Sequence, residues 1–320
     1  MIGYLARRLG TAVLMMVLVS VLIFVVLRLL PGDPTITKVG AAEGIDPAQL
    51  RALRAQLGLN QPVPEQYWHW VTGIVSHGSF GRSYFSQFPV GTLIGQRLGP
   101  TLELTVFGLL FAVLLALTLS VLPAVLRRRW LGRAVGGYTA VGLAAPPFIF
   151  GIVFIAIFSV RLGWLPNKGY VSPSADLGQN VRLLTLPALT LGITLSAPLI
   201  RYLQTSLAEV ETSSYVRTAI GKGLRRRSVV LGHVLPGGLL PALTSLGVSV
   251  GGVLSGAVVV EYVFAWPGLG SLIVDAVYQR DYAVLQSTVL LLAGVYVVAN
   301  LLVDVLYGVL DPRLRIGVRR

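Results

Sequence analysis

The chain has 320 residues, of which 54% are hydrophobic and only 12% charged, with a net charge of +13 and no cysteine. A soluble domain carries about twice that charged fraction, so the composition excludes an ordinary globular protein and places the chain in a bilayer. The missing cysteines exclude disulfides, thiol catalysis and thiolate metal sites, while leaving the redox compartment open.

Taken in chain order, the first element is an apolar run after Arg7 and Arg8. It exceeds a signal-peptide core and lacks a small-residue cleavage site, so it reads as a retained first span over residues 1–30. Six stretches in all are long enough to cross about 30 Å of hydrocarbon: 9–30, 101–126, 135–160, 183–206, 238–261 and 284–310. The fourth is interrupted by Pro187 and Pro198, which a membrane helix tolerates when neighbours satisfy the freed carbonyls. The expected fold is therefore all-α, with six transmembrane helices. Fifteen of the 26 Lys and Arg lie on one side if the N-terminus is cytoplasmic. They are Arg7, Arg8, Arg127, Arg128, Arg129, Arg133, Arg217, Lys222, Arg225, Arg226, Arg227, Arg313, Arg315, Arg319 and Arg320. Positive charge gathers on the inner side, so both termini are expected in the cytoplasm. The same clustering at the ends of spans argues against nucleic acid as a partner.

Residues 31–100 form the one sizeable extracytoplasmic loop. Asp46-Pro47-Ala48-Gln49 has the form of an N-cap, a proline at the first helical position and a capping-box Gln, for a helix ending at Gly58. A second helix starts near Pro64 and carries Tyr67, Trp68 and Trp70, aromatics suited to a membrane interface or to an external partner. Residues 101–320 make a five-helix core. Glu103 and Glu261 fall near outer ends of spans, where interfacial solvation would accommodate them. Asn300 and Asp304 share one face of the last span, as interhelical hydrogen-bonding groups or as an ion site. In the fifth span Gly247, Gly251, Gly252 and Gly256 recur at four-residue spacing. That pattern serves close packing within the chain or a pore-lining, subunit-contacting helix.

Enzyme chemistry has little to stand on. His69, His77 and His233 all lie outside the spans, and neither a His-Glu-x-x-His run nor a P-loop is present. No metal, cofactor or catalytic residue is expected in this chain. The most specific segment is cytoplasmic, at 207–236. Glu209 and Glu211 precede a short helix through Ile220 and Lys222, Gly223 permits a left-handed turn, and a second helical stretch runs to Pro236. Acids at its start and bases at its end complement the helix dipole. Tyr215, Arg217, Lys222, Arg225, Arg226 and Arg227 give it a basic surface, for a protein partner or for anionic lipid headgroups.

This segment resembles the cytoplasmic signature of permease subunits of bacterial ATP-binding-cassette importers, Glu-Ala-Ala-x3-Gly-x9-Ile-x-Leu-Pro. Ala219, Gly223, Leu235 and Pro236 match it in spacing, while Arg217, Thr218 and His233 replace the Glu, the first Ala and the Ile. Tyr215-Val216-Arg217-Thr218-Ala219 with Lys222-Gly223 and His233 is similar to the dipeptide, oligopeptide and nickel branch. Leu30-Pro31-Gly32-Asp33-Pro34, Gly81-Arg82-Ser83 and Pro100-Thr101-Leu102 resemble the branch's landmarks up to the second span. Gly163-Trp164-Leu165-Pro166, Glu261-Tyr262-Val263-Phe264, Trp266-Pro267-Gly268-Leu269-Gly270 and Asp311-Pro312-Arg313 resemble its later ones. The long loop after span 1 is similar to the first of the two permeases such systems pair. Gly221 and the Pro236-Gly237-Gly238 run depart from the usual pattern.

The resemblance implies a type I importer permease in a bacterial inner membrane, forming half of a translocation pathway with a second homologous permease. An extracytoplasmic binding protein would deliver a di- or oligopeptide, with nickel, glutathione and haem left open. Two cytoplasmic ATPases would bind ATP and Mg and grip segment 207–236. The rival readings are a secondary transporter or channel working alone through Asp304 and Asn300, and an assembly factor without transport.

Overall fold

The computed structural model describes residues 2–29, 47–239 and 256–310. Helices dominate: α1 (Ile2–Leu29), α2 (Pro47–Gln56), α3 (Val63–His77), α4 (Val90–Leu126), α5 (Arg129–Ala144) and α6 (Pro147–Phe154) come first. They are followed by α7 (Leu177–Glu211), α8 (Ser214–Gly221), α9 (Arg226–Val229), α10 (256–263), α11 (Leu269–Tyr278) and α12 (Tyr282–Leu310). Among the described residues the only strand-like pairing is an isolated bridge between Arg82 and Pro89. The apolar composition of the long helices leaves no alternative in lipid, because every backbone N–H and C=O must be satisfied inside the element itself.

Among the described residues four helices are long and apolar enough to cross a membrane: 7–29 of α1, α4, α7 and 282–301 of α12. They coincide with the expected first, second, fourth and sixth spans. The expected third span, 135–160, is not one straight helix. It is α5 and α6, bent by 108° at their junction, and the two make a fifth crossing only if counted together. The physical cause is Pro146-Pro147. Each ring pushes its predecessor out of helical geometry, and Ala145 and Pro146 are extended at ψ of 130° and 147°. Most of the expected fifth span, with Gly247, Gly251 and Gly252, lies outside the described residues. Gly256 lies in α10 and is buried.

The chain packs as two units, one of residues 1–101 and 267–297, the other of residues 102–266 and 298–320. In the first, Leu27 of α1, Val90 and Ile94 of α4, Leu269 and Leu272 of α11 and Tyr282–Leu285 of α12 form the core. In the second, α7 is the central element. Its Leu184, Leu186, Leu191, Leu195 and Ile200 join Leu104 and Ala112 of α4, Val135 of α5, and Phe264 and Trp266. The α4–α7 crossing is tight, since a Cβ on Gly192 would sit 2.5 Å from Phe111 Cδ1 and 3.0 Å from the Gly108 carbonyl. Small residues at such crossings let backbones approach closely, a main source of cohesion between helices in lipid.

Helix α7 runs unbroken through Pro187 and Pro198. Hydroxyls around them bind helix carbonyls: Thr190 donates to Leu186 O at 2.8 Å, and Ser196 to Ile193 O at 2.8 Å, with the Tyr138 hydroxyl 2.6 Å from Ser196 Oγ. The carbonyls that Pro187 and Pro198 leave without an intrahelical donor are those of Leu183 and Thr194, and α7 carries both rings while packed among its neighbours.

Candidate functional site

The basic segment at 207–236 ends α7 and then folds as a helix, a left-handed turn and a second helix. Helix α8 ends at Gly221, and Gly223 takes φ +76. Gly223 N–H bonds Ile220 O at 2.9 Å and Leu224 N–H reaches Ala219 O at 3.4 Å, so the glycine closes the helix with a left-handed cap. The segment is amphipathic. Val216 and Ala219 of α8 are buried with Val229, Val230 and Val234 against Leu203 and Leu207 of α7. Tyr215, Arg217, Ile220, Lys222, Gly223, Leu224, Arg225 and Arg227 face outward.

Two expectations for this segment need correction. Glu209 and Glu211 are in the last turn of α7, not at the start of α8. Instead of meeting the α8 dipole, Glu211 pairs with Arg226 at 2.5 Å. Nor does Pro236 end the second stretch: α9 passes through a π-helical turn at Val230–Val234 and continues helical over 235–239. Leu235 N–H bonds Val230 O, five residues back. Widening the helix there relieves the crowding a proline ring would meet in a regular turn.

Arg226 therefore differs from its neighbours. Arg225 and Arg227 are exposed, whereas Arg226 is half-buried and reaches two other elements. Its Nε donates to Ala124 O at 3.0 Å in the last turn of α4, and its guanidinium meets Glu211 at the end of α7. Carbonyls in the last turn of a helix have no partner within it and carry partial negative charge, which suits a guanidinium. The departing Pro236-Gly237-Gly238 run also has a packing role. A Cβ on Gly237 would lie 2.6 Å from the Tyr215 hydroxyl, and one on Gly238 2.8 Å from Leu207 Cδ2. Ser206 Oγ donates to Gly238 O at 2.9 Å, which confirms how closely the two helices approach.

Elsewhere the structure separates residues that looked alike. Glu103 is half-buried and accepts the Tyr170 hydroxyl at 3.3 Å. Burial, and then the Glu103 carboxylate, raise the Tyr170 hydroxyl above its usual range. Glu261, expected to be solvated, is fully buried in α10 beside the turn that buries Trp266. Its carbonyl accepts the Trp266 N–H at 2.8 Å, across the turn that follows α10. Asn300 lies on α12 half-buried, and the side chain of Asp304 is outside the described part.

One polar centre went unread in the sequence. Asp281 is buried before α12 and accepts from Ser83 Oγ, Tyr84 N–H (3.0 Å), Phe85 N–H (3.3 Å) and Val284 N–H (3.3 Å). It caps α12 and clasps the 83–85 loop at once. The available signal was an Asp directly ahead of the apolar run from Tyr282, an N-cap pattern.

The family described as "Binding-protein-dependent transport system inner membrane component" matches residues 88–316, and its N-terminal companion matches residues 1–105. The glutathione transport system permease protein GsiC of Salmonella choleraesuis (strain SC-B67) is 39% identical over 315 residues, covering 98% of this chain and 99% of its own. The protein of the same name from Escherichia coli (strain K12) gives the same figures.

Proposed function

We propose a role that starts from one fact: the chain belongs to the family of binding-protein-dependent transport system inner membrane components. Within it, the chain forms one half of the translocation pathway of an ATP-driven importer and pairs with a second, homologous permease. Two cytoplasmic ATPases hold the ATP and Mg, and an external binding protein supplies the ligand. Both termini face the cytoplasm, as the distribution of Lys and Arg favours.

The observation that carries this reading is the α8–turn–α9 unit. Exposed Ile220 and Leu224 stand among exposed Arg217, Lys222, Arg225 and Arg227, an apolar knob ringed by cations. The inner face is locked to α7 by buried valines. Such a unit is shaped to enter a groove on a soluble partner and to move with it as a rigid body. Motion passes to the spans only if the partner binds the unit differently in its two states.

The substrate is a small peptide. The relatives' name points to glutathione, itself a peptide, so a peptide of two to a few residues is the class to test first. The experiment is uptake of labelled glutathione and dipeptides into vesicles with the binding protein present, with and without the ATPases. ATP-dependent uptake that disappears without the ATPases is expected. Uptake that ignores ATP and follows a proton gradient would establish the lone secondary transporter instead.

A further inference from the structure

Helix α3 does not stand free in the outer loop. Tyr67 and Ser20 place their hydroxyls 2.9 Å apart. Phe24 packs edge-on against Tyr67 at 5.2 Å and stacked on Trp70 at 6.0 Å. The Arg28 guanidinium lies 3.6 Å over the Phe24 ring and donates to Gln66 Oε1 at 2.9 Å. Ser20, Phe24 and Arg28 follow one another at four-residue spacing, so α3 rests on one stripe of α1.

The contacts give α3 a depth. The apolar length of α1 runs from Arg7 to Leu29. At 1.5 Å per residue, Phe24 lies about 7 Å and Ser20 about 13 Å inside its outer end. Around α3 three arcs differ. Tyr67 and Trp70 meet α1. Next to them Trp68 and Val75, seven residues apart and so on one face, are 65% and 81% exposed. Beyond these, Glu65, His69 and Ser76 form an exposed polar arc. Further in along the stripe of α1 that carries α3, Val13 and Val17, seven residues before Ser20 and Phe24, are themselves exposed.

We infer that α3 is an interfacial helix seated in the outer boundary between headgroups and acyl chains, with phospholipid covering Trp68 and Val75. An amphipathic helix at that boundary buries its apolar face about 5–10 Å deep, and the α1 contacts, from Arg28 at the outer end through Phe24 to Ser20, straddle that depth. Trp is suited to the position because its ring is apolar and its N–H polar. The helix thus sets the height of the outer loop on the membrane. The inference rests on the membrane placement of α1 in the proposed function and not on ATP coupling.

The absence of cysteine makes the test direct. Trp68→Cys, Val75→Cys, Glu65→Cys and Ser76→Cys, each carrying a nitroxide, are placed in phosphatidylcholine–phosphatidylglycerol nanodiscs. Each is measured as the full chain and again after assembly with the partner subunits. Collision with dissolved oxygen is compared with collision with a water-soluble nickel chelate. Positions 68 and 75 should favour oxygen several-fold, and 65 and 76 should favour nickel. Nickel access at 68 and 75 equal to that at 65 and 76 overturns the inference, and so does protection of 68 and 75 from both reagents on assembly, which would put protein there. Accessibility is read without ATP, so failure of this inference and failure of the importer reading are separate results.

Discussion

Replacing Arg226 with alanine removes one guanidinium that ties the α8–α9 unit to the ends of both α4 and α7. The ion pair with Glu211 is partly solvated, the two side chains being 22% and 37% exposed, so by itself it contributes at most about 1 kcal/mol. The charge-assisted bond from Nε to Ala124 O is the more protected contact, and such bonds contribute about 1.5–3 kcal/mol when well buried. Discounting for exposure, the variant should lose about 1–2 kcal/mol of local stability, a factor of roughly 5–30 in the opening equilibrium. Hydrogen exchange of peptides covering 226–234 should accelerate by that factor, while peptides from α7 near Leu191 remain unchanged. The same variant in proteoliposomes should hydrolyse ATP yet move several-fold less substrate per ATP, because a loosened unit transmits less of the ATPase's movement. Arg226→Lys should lie between the two, since a single ammonium reaches one partner and not both. Unchanged exchange and unchanged coupling in Arg226→Ala would refute the anchor role.

Four further outcomes follow from the same geometry. Gly223→Ala adds no clash, as nothing lies within 4 Å of its Cβ position, but forces alanine to φ +76. A cost of about 1–2 kcal/mol should appear as reduced transport per ATP, with Gly223→Asn milder. Gly192→Ala should destabilise the whole protein by about 1–3 kcal/mol, read as a lower melting temperature, whereas Gly136→Ala, with nothing within 4 Å, should not. Asp281→Asn keeps the size but loses the acceptor charge shared by four donors. The 81–89 loop should become several-fold more sensitive to protease. Reversing Arg225 and Arg227 to Glu while keeping Arg226 should weaken ATPase capture without changing exchange in α9, because both side chains face outward.

Much was legible without coordinates because it depends on neighbours in the chain. A run of apolar residues about 20 long must be helical in lipid, so α1, α4, α7 and α12 emerge from length and hydropathy alone. A left-handed turn demands glycine, so the cap at Gly223 could be placed from its spacing, as could the helix starts near Pro47 and Pro64. The bend at Pro146-Pro147 was also written in the chain, but averaging hydropathy over 135–160 hid two rings whose effect is purely local. Membership of the importer family was visible in motif spacing along most of the chain.

The rest is decided by elements far apart in sequence. Nothing local distinguishes Arg226 from Arg225 and Arg227. The difference arises because Ala124 and Glu211 end their helices within its reach. Glu103 and Glu261 look equivalent at the ends of spans, yet packing buries Glu261 completely and leaves Glu103 half-exposed. Pro236 reads as a stop, but a π-helical turn and the close approach of Gly237 and Gly238 to α7 carry the helix past it. Backbone preference and hydropathy are properties of a few successive residues, whereas burial and pairing are set by whichever helix happens to pack alongside. The sequence therefore determined which segments are helices in a membrane and which family they build, and the tertiary structure alone decided which of its charges face outward and which hold it together.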